Sequence, residues 1–487
     1  MRLKYLTYAF EIILRHIGFI MLLPCVFSIY YKEYNSAIPF VASAVIAFLL
    51  SLILKCFLKN EKIENMNDIK KSEGLFIVTT SWLVGGIISA LPFMFYGMNI
   101  LDALFESASG ITTTGGSICT GFDYPHSIFF WRSLIQWLGG MGIIILFIAI
   151  LPQFAVAGRQ MFFAESPGPT EDKFTPRIRN TASALWKVYI VLTALQVICL
   201  TIAGMPLFDA FCNSLSTISA GGFSTNPQST EGYHSNYITW IITIFMFLAG
   251  TNFNLQYKAY IKHDLRIFFK SEEFRVYLGI FLSISFLVAC SLFLNDKYNI
   301  FDSITHSMYQ VASLMTSTGS TSADYNSWDF TTKTILFITM FTGGCASSAS
   351  GGIKIARWVL IFKIMKNEVK KILHPNAVIN IKLDNTVITK EILSQTVMFI
   401  CFYMTIVALS VIIVSIHEHN VVVGITSSIA SIGNIGPAFG SIVGPMGSYE
   451  SLHPLSKIVL ILDMYVGRLE LIPFLVMLEP EFWNFRK

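Results

Sequence analysis

Charged residues are scarce in this sequence, and their scarcity excludes most classes of soluble protein. Only 13% of the 487 residues are Asp, Glu, Lys or Arg, whereas 54% are hydrophobic, and the mean hydropathy is +0.61. Soluble domains carry about 25% charged residues, so this composition does not suit a water-soluble surface. The composition predicts a protein that lies in a membrane.

The sequence also lacks the residue patterns of enzymes, metal centres and disulfide-rich domains. The eight cysteines have no paired spacing, and most fall in apolar runs, so we expect neither a disulfide framework nor a metal cluster. The His-Glu-His run His417–His419 has no third ligand nearby and is interpreted as an exposed loop. The run Gly352–Ile355 lacks the Gly-Lys-Ser/Thr ending of a phosphate-binding loop. No catalytic triad stands out, so we expect no enzymatic activity and no organic cofactor.

Long apolar runs, in contrast, are abundant. A helix that crosses a membrane needs about 20 mostly apolar residues. The stretches that reach this length are about 7–30, 36–58, 73–97, 127–152, 183–204, 236–256, 274–295, 331–365, 391–416 and 455–478. The first stretch is too long for a cleaved signal sequence, and a second span follows it closely. The sequence therefore predicts an all-α polytopic membrane protein with ten spans.

Basic residues are distributed unequally between the two sets of loops that these spans define. The loops on one side hold 26 lysines and arginines, whereas the opposite loops hold only Lys32 and Lys297. Loops rich in Lys and Arg remain in the cytoplasm, so the first set is predicted to be cytoplasmic. Both termini then lie inside, as an even number of spans requires. The net charge of +4 reflects this bias and does not indicate nucleic-acid binding.

A short polar motif occurs four times along the chain. Leu101–Gly115 (LDALFESASGITTTG) aligns with Phe208–Gly222 (FDAFCNSLSTISAGG), and in both the last glycine follows an aspartate by 13 residues. The third copy, Phe301–Gly319, has four additional residues, about one helical turn. The fourth, Ile425–Gly436, ends in Gly-Asn-Ile-Gly and has no acid at its start. Four equivalent loops indicate one site assembled from four sides.

Each copy begins with a segment too short to cross a membrane. These segments cover about 100–110, 206–217, 300–315 and 422–432, and we predict that they are re-entrant helices. Non-helical backbone at membrane depth is tolerated only where it lines water or is buried in protein, so the loops that follow are expected to face a pore. Asp102, Asp209 and Asp302 are predicted to cap the first three helices, whose negative C-terminal ends then point at a buried cation.

The four loops are rich in threonine, serine and glycine, as an ion filter requires. A dehydrated monovalent cation needs oxygens in place of its water shell, and rings of backbone carbonyls supply them in potassium channels. Glycine helps successive carbonyls point the same way, because it accepts backbone angles that are closed to other residues. A single such loop is more simply an ordinary turn. Four loops at matching positions favour a filter.

The filter segments TTTGGS, SAGGFST, TSTGSTSADY and GNIGPAFG resemble those of the Trk/Ktr/HKT family of cation transporters, and the chain is most similar to the bacterial TrkH-type members. Three further stretches carry the resemblance: Pro167–Pro169, Gly343–Lys354 (GGCASSASGGIK) and Gly467–Glu470 (GRLE). The resemblance extends over essentially the whole chain, including the two-helix hairpin that precedes the first repeat.

The resemblance implies four channel-like repeats around a central pore and an N-terminal two-helix hairpin. It implies potassium uptake, a homodimer, and a cytoplasmic TrkA-type nucleotide-binding regulatory subunit. The expected location is the bacterial inner membrane, with multiple spans through the lipid bilayer. The corresponding segments are 1–72 for the hairpin, 73–180 for repeat one with its cytoplasmic connector, 181–273 for repeat two, 274–390 for repeat three with a gate, and 391–487 for repeat four.

The resemblance also implies which residues bind potassium. These are Thr112, Thr113, Thr114 and Gly115 in loop one, Ser219, Ala220, Gly221 and Gly222 in loop two, Thr316, Ser317, Thr318 and Gly319 in loop three, and Gly433, Asn434, Ile435 and Gly436 in loop four. The carbonyls of the first two residues of each loop are the expected ion contacts. In the family, glycine at the last position of every loop is associated with selectivity for potassium. Serine at that position of the first loop is associated with sodium in plant relatives. A sodium-selective or ion-coupled cation transporter, including a symporter, is the alternative.

The segment Thr342–Gly352 interrupts the longest apolar run with four glycines and three serines. Each glycine costs about 1 kcal/mol in a helix interior relative to alanine, so a continuous helix is not expected. A deformable plug under the pore is one interpretation, and close helix packing through small residues is the other. The resemblance makes this segment, here called the gate loop, an intramembrane gate. The implied gate residues are Gly343, Gly344, Ser347, Ser348, Gly351, Gly352, Lys354 and Arg468.

Arg468 lies about the middle of the last predicted span. A charge inside a membrane is costly and suggests a function. We expect the guanidinium to approach the gate loop or the pore below the filter and to raise an electrostatic barrier to cations. Glu470 is two residues away and does not share a helix face with Arg468. A purely structural pairing with Asp463 or with another helix is the alternative.

Overall fold

The computed structural model describes residues 3–58, 71–120, 122–142, 178–375, 380–384, 386–469, 477, 479 and 480. Regular structure in these residues is helical except for one small hairpin. Six helices are long and apolar enough to cross a membrane, or seven if one bent pair counts as a single span. The predicted all-α polytopic fold is confirmed. Pro167–Pro169 and Glu470 lie outside the described residues.

The N-terminal hairpin packs beside the first repeat. It contains α1 (Leu3–Ile20), α2 (Pro24–Tyr30) and α3 (Ala37–Leu58). Helices α1 and α3 lie against each other, and both contact the first helix of repeat one. Phe40, Ala44 and Ala47 are buried on the inner face of α3, whereas Leu49, Leu52 and Ile53 are exposed on its outer side. An apolar outer face suits contact with lipid.

In repeats one and two a long helix is followed by a short helix and then by a further helix. Repeat one contains α4 (Lys71–Phe95), the short helix α5 (Ile100–Ile111) and α6 (His126–Gly140). Repeat two contains α7 (Ile178–Ile202), the short helix α8 (Leu207–Ile218), α9 (Asn236–Ala249), α10 (Phe253–Lys262) and α11 (Arg266–Lys270).

Repeats three and four repeat that order. Repeat three contains α12 (Glu272–Leu294), the short helix α13 (Ile300–Met315), α14 (Phe330–Thr339) and α15 (Ile355–Leu373). A hairpin follows, in which β1 (Lys382–Leu383) pairs antiparallel with β2 (Thr386–Val387). Repeat four contains α16 (Lys390–Glu418), the short helix α17 (Val421–Ile432) and α18 (Pro454–Arg468).

The packing of the helices arranges the repeats in a closed order. Each short helix packs against the long helix that precedes it in its repeat. Contacts between α6 and α8 join repeats one and two, and contacts between α9 and α13 join repeats two and three. Helix α18 of repeat four packs against α5 of repeat one. The last repeat therefore closes on the first.

The predicted capping role of the aspartates is wrong. Asn99 caps α5 by accepting a bond from the amide of Asp102 at 3.0 Å, and Asn299 caps α13 by accepting from the amide of Asp302 at 2.9 Å. No side chain caps α8, where Asp209 accepts from a threonine hydroxyl instead. A cap must come from the residue before the helix, whose backbone is extended. The acids lie inside the first turn, where the positive end of the helix dipole still favours them.

The span predicted over 236–256 is bent in the structure. Helix α9 ends at Ala249, and α10 starts at Phe253 after a bend of 97°. Asn252 caps the new helix by accepting from the amides of the second and third residues of α10, at 2.9 and 3.3 Å. The amide of Cys345 in the gate loop donates to the carbonyl of Gly250 at 2.8 Å. The gate loop therefore packs against this break.

Candidate functional site

The four loops that follow the short helices share one backbone conformation. Their first residues are right-handed, with ψ between −7° and 3°. Their second residues have positive φ although none is glycine: Thr113 (56°), Ala220 (56°), Ser317 (55°) and Asn434 (52°). Their fourth residues are glycines with positive φ: Gly115 (81°), Gly222 (75°), Gly319 (76°) and Gly436 (90°). Positive φ is uncommon outside glycine, so its recurrence at matching positions shows that the loops are structurally equivalent.

The backbone amides of each loop donate hydrogen bonds to carbonyls of the short helix that precedes it. In loop one, the amides of Thr112, Thr113 and Thr114 donate to carbonyls in the last turn of α5 at 2.8 to 3.0 Å. The same bonds recur in the other three loops. They satisfy helix carbonyls that would otherwise lack partners. The carbonyls of the first two residues of each loop accept no hydrogen bond from any described residue. These are the eight oxygens that the resemblance implies as ion contacts.

The loops touch one another in a ring. A β-carbon added to the last glycine of any loop would fall 1.9 to 2.4 Å from a carbonyl oxygen of the next loop. The pairs are Gly115 with Gly221, Gly222 with Thr318, Gly319 with Ile435, and Gly436 with Thr114. The order runs from loop one to loop four and back to loop one. Glycine is therefore required at all four positions for two reasons: the backbone has a positive φ, and the carbonyl of the next loop leaves no room for a β-carbon.

Side chains tie neighbouring loops together behind the ring. Asn434 donates to the hydroxyl of Thr114 at 3.0 Å and to the carbonyl of Met464 at 2.9 Å, which joins loop four to loop one and to α18. Gln136 of α6 donates to the carbonyl of Gly221 at 2.6 Å. Its side-chain oxygen accepts from the amide of the residue after loop two at 3.1 Å. Loop two is therefore held by repeat one.

A buried ion pair that the sequence analysis did not identify supports the same region. Glu106 of α5 and Arg132 of α6 lie 2.7 Å apart, with side chains 0% and 2% exposed. Glu106 also accepts from the amide of Ile118 at 2.9 Å, and Arg132 donates to the hydroxyl of Ser117 at 2.9 Å. A signal existed in the sequence, because both charges fall in segments predicted to lie within the membrane. The pair holds the segment that leaves loop one.

The gate loop lies directly against loops three and four. The amide of Gly351 donates to the hydroxyl of Ser317 at 2.5 Å. A β-carbon on Gly351 would fall 2.6 Å from the carbonyl oxygen of Gly433. On its other side the gate loop bonds to the break between α9 and α10, where the amide of Ala349 donates to the carbonyl of Ala249 at 3.2 Å. The gate loop therefore lies between the ring and repeat two.

Within the gate loop, backbone bonds replace those of a helix. Helix α14 ends at Thr339 and α15 begins at Ile355, so the predicted interruption is present. The amide of Gly343 donates to the carbonyl of Ile353 at 2.9 Å. Ser347 and Gly352 have φ of 54° and 66°. Further bonds join Gly344 to the hydroxyl of Ser350 at 3.0 Å, that hydroxyl to Ser348 at 2.8 Å, and the Lys354 ammonium to the Ser350 carbonyl.

Arg468, the last residue of α18, joins the gate loop to repeat one. Its guanidinium donates to the carbonyl of Ala349 at 3.0 Å and to the carbonyls of Gly139 and Gly140 at 3.0 Å each. Asp463 accepts instead from the hydroxyl of Ser410 at 2.8 Å. The guanidinium thus lies beside the gate loop, as expected. It also contacts another helix, because Gly139 and Gly140 end α6, whereas no bond joins it to Asp463 among the described residues.

A second acid missed by the sequence analysis holds the gate loop from the first turn of α12. The carboxylate of Glu273 is buried and accepts from the amide of Ala346 at 2.6 Å. The neighbouring Glu272 is tied to the hairpin, because its amide donates to Asp384 at 2.6 Å and its carboxylate pairs with Lys363 at 2.6 Å. A continuous set of contacts therefore runs from the β1–β2 hairpin to the gate loop.

Known proteins resemble this chain over most of its length. The family model described as "TrkH: Cation transport protein" matches residues 41–484. The Trk system potassium uptake protein TrkH of Salmonella typhimurium is 37% identical over 473 residues, which cover 95% of this chain and 96% of that protein. The Escherichia coli K12 protein TrkG, also named a Trk system potassium uptake protein, is 30% identical over 95% of both chains. The crystal structure of the potassium transporter TrkH from Vibrio parahaemolyticus superposes with a TM-score of 0.88 at 28% identity, over 99% of this chain and 100% of that one.

Proposed function

This chain belongs to the TrkH family of cation transport proteins, and from that membership we propose that it takes up potassium ions across the cell membrane through the ring formed by its four loops. The similar proteins named for potassium uptake support potassium as the transported ion. Their names describe transport, and we propose no enzymatic activity for this chain. It is a multi-pass membrane protein, and the family resemblance supports the bacterial inner membrane as its location. We propose that both termini lie in the cytoplasm, because the loops on that predicted side hold 26 lysines and arginines.

The observation that carries the proposal is the closed order of contacts among the four loops. Each loop touches the next through its last glycine, and the fourth touches the first. The first two carbonyls of each loop then supply two rings of four oxygens, which replace the water shell of a potassium ion. The short helices end at this ring, so their negative ends stabilise a cation there. The proposed ion contacts are the carbonyls of Thr112, Thr113, Ser219, Ala220, Thr316, Ser317, Gly433 and Asn434.

We propose that the gate loop closes the pore below the ring. It lies against loops three and four through Gly351, and it is held by Glu273, by Arg468 and by the break between α9 and α10. Arg468 brings a positive charge to the gate loop, where it repels cations across a medium of low dielectric constant. Displacement of the gate loop together with its anchors opens the pore.

The regulator of the gate is proposed to be a cytoplasmic TrkA-type nucleotide-binding subunit. The names of the relatives refer to a Trk system, which supports a partner protein. Exposed basic residues on the predicted cytoplasmic side offer a docking surface: Lys262, Arg266, Lys270, Lys366, Lys370 and Lys371. We also propose a homodimer, which rests on the family resemblance.

Growth on low potassium tests the proposal directly. Expression of the chain in a bacterial host without its own potassium uptake systems should restore growth. The variant Gly115→Ser should lose more than about tenfold of the potassium uptake rate, because its β-carbon meets the carbonyl of Gly221. Gly204→Ser is the matched control, since Gly204 has a similar φ of 95° but no atom within 4 Å of an added β-carbon. Failure of the wild-type chain to restore growth would contradict the proposal.

Flux into vesicles separates potassium uptake from the sodium alternative. Purified protein in liposomes should pass potassium well ahead of sodium when both ions compete under bi-ionic conditions. Equal passage of the two ions, or uptake only when sodium is present, would replace the proposal with a sodium-selective or ion-coupled transporter.

A further inference from the structure

Asp463 is a buried carboxyl group for which the proposed pathway has no use. It lies on α18, is 3% exposed, and faces α16, where the hydroxyl of Ser410 donates to its Oδ1 atom at 2.8 Å. Its Oδ2 atom is fully enclosed and has no hydrogen-bond partner among the described residues. No ion pair joins it to a cation in that part of the chain. Within the described residues, the Ser410 hydroxyl is the one group that donates a hydrogen bond to it.

The charged and titratable groups on the elements packed against α18 do not neutralise Asp463. Helix α16 contributes Tyr403, whose buried hydroxyl also has no partner within the described part of the chain. Helix α5 contributes Asp102, which pairs with Lys457, and Glu106, which pairs with Arg132. Helix α17 contains no titratable residue. A carboxylate in such a site is strongly unfavourable, because burial removes its hydration and no cation replaces it. The site therefore favours the neutral, protonated acid.

A displacement of α18 near Asp463 would also displace loop four, and through it loop one. Met464 follows Asp463, and its carbonyl accepts from Asn434 of loop four. Gly467, one turn further on, packs so closely that an added β-carbon would fall 2.0 Å from the carbonyl oxygen of Ile432, just before loop four. Asn434 in turn bonds to Thr114 of loop one. The backbone beside Asp463 thus contacts loop four directly and is linked to loop one through Asn434.

We propose that Asp463 is a proton-binding site inside repeat four, and that the protonated form holds α18 where loops one and four complete the ring. Loss of the proton leaves a buried charge that draws water or a cation between α16 and α18. The helices then separate, loop four loses its support, and potassium flux falls. This inference rests on the proposed potassium transport, and it adds a dependence of that transport on pH.

Potassium or rubidium flux into proteoliposomes, measured from about pH 6 to about pH 9, tests the proposal. The wild-type flux should fall several-fold as the pH rises. Asp463→Asn imitates the protonated acid and should keep the flux of the wild type at low pH across the whole range. Asp296→Asn, which changes an exposed acid on an outer loop, should follow the wild-type profile. A wild-type profile in the Asp463→Asn variant would overturn the proposal, as would a wild-type flux that does not change with pH.

A spectroscopic measurement covers the case in which Asp463→Asn does not fold. Infrared difference spectra of the unmodified protein should show the carbonyl stretch of a buried protonated carboxylic acid at neutral pH, and this band should disappear as the pH rises. A second neutral variant, Asp463→Ser, should lack the band. Absence of the band from the unmodified protein would overturn the inference. Absence of potassium flux at every pH would instead refute the proposed function, so the two failures are distinguishable.

Discussion

Three charged residues at membrane depth, Glu106, Arg132 and Arg468, have definite partners in this protein. Glu106 and Arg132 form an ion pair, and each also forms a hydrogen bond beside loop one: Glu106 with a backbone amide and Arg132 with a hydroxyl group. A buried pair contributes little net stability, but the loss of one partner leaves the other charge unpaired in a low dielectric. The pair is therefore more sensitive to substitution than its net contribution suggests.

Substitution of one member of this pair should be costly. Glu106→Gln should lower the free energy of unfolding by about 3–5 kcal/mol, because the guanidinium of Arg132 stays buried without a counter-ion. Thermal or denaturant unfolding in detergent measures the change. Glu368→Gln is the matched control, since the Glu368–Lys371 pair is exposed and should contribute less than about 1 kcal/mol. Equal losses in both variants would contradict the argument.

Arg468 offers a test of the electrostatic barrier. Arg468→Ala should raise the resting potassium flux several-fold in reconstituted vesicles, because it removes the positive charge and the bonds to Ala349, Gly139 and Gly140. Arg468→Lys should have an intermediate flux, since lysine keeps the charge but cannot reproduce the planar set of donors. Unchanged flux in a folded Arg468→Ala protein would remove the barrier role.

At the scale of elements, the gate loop depends on anchors from distant parts of the chain. The break between α9 and α10 provides backbone partners, and the start of α12 provides Glu273. The glycines and serines of the gate loop explain why it is not a helix. They do not identify the groups that hold it, because those groups lie on other helices, far from the gate loop in the sequence.

Removal of the Glu273 anchor should loosen the gate loop. Glu273→Ala leaves the amide of Ala346 without its acceptor, and we expect a several-fold higher resting flux and faster hydrogen exchange of the gate-loop amides. Glu273→Gln retains an acceptor oxygen and should stay close to wild type. Glu272→Ala, whose carboxylate pairs with Lys363 and not with the gate loop, serves as the control. Identical behaviour of all three variants would contradict a specific role for Glu273.

The whole molecule is organised by the return of repeat four to repeat one. Helix α18 packs against α5, and Lys457 pairs with Asp102 at 2.6 Å with both side chains largely buried. Asn434 joins loop four to Thr114 of loop one. These contacts join residues more than 300 positions apart in the sequence, and they complete the ring.

Closure of the ring predicts similar effects at all four last glycines. Gly222→Ala, Gly319→Ala and Gly436→Ala should each lower potassium flux by more than about tenfold, as Gly115→Ala should, because each added methyl group meets a carbonyl of the next loop. Gly440→Ala is a matched control with φ of 108° and open space at the β-carbon position. A ring in which only one or two positions are sensitive would contradict fourfold equivalence.

Local features of the fold were predictable because their causes lie in neighbouring residues. The short helices were expected over about 100–110, 206–217, 300–315 and 422–432, and they form at Ile100–Ile111, Leu207–Ile218, Ile300–Met315 and Val421–Ile432. The predictions failed where a second part of the chain intervenes. The span over 236–256 bends at Ala249 and Gly250, whose carbonyls accept bonds from the gate loop. The caps were assigned to the aspartates because the role of Asn99 and Asn299 depends on geometry at the helix start.

The sequence alone determined the membrane setting, the four copies of the loop, the glycine at the end of each loop and the interruption at the gate loop. These follow from composition, length and backbone preference, which act over a few residues. Only the tertiary structure decided that each glycine faces the carbonyl of the next loop, that Glu106 pairs with Arg132, and that Glu273 holds the gate loop. Such contacts join residues that lie on different helices and loops, and their partners are set by how the helices pack, which no local pattern encodes.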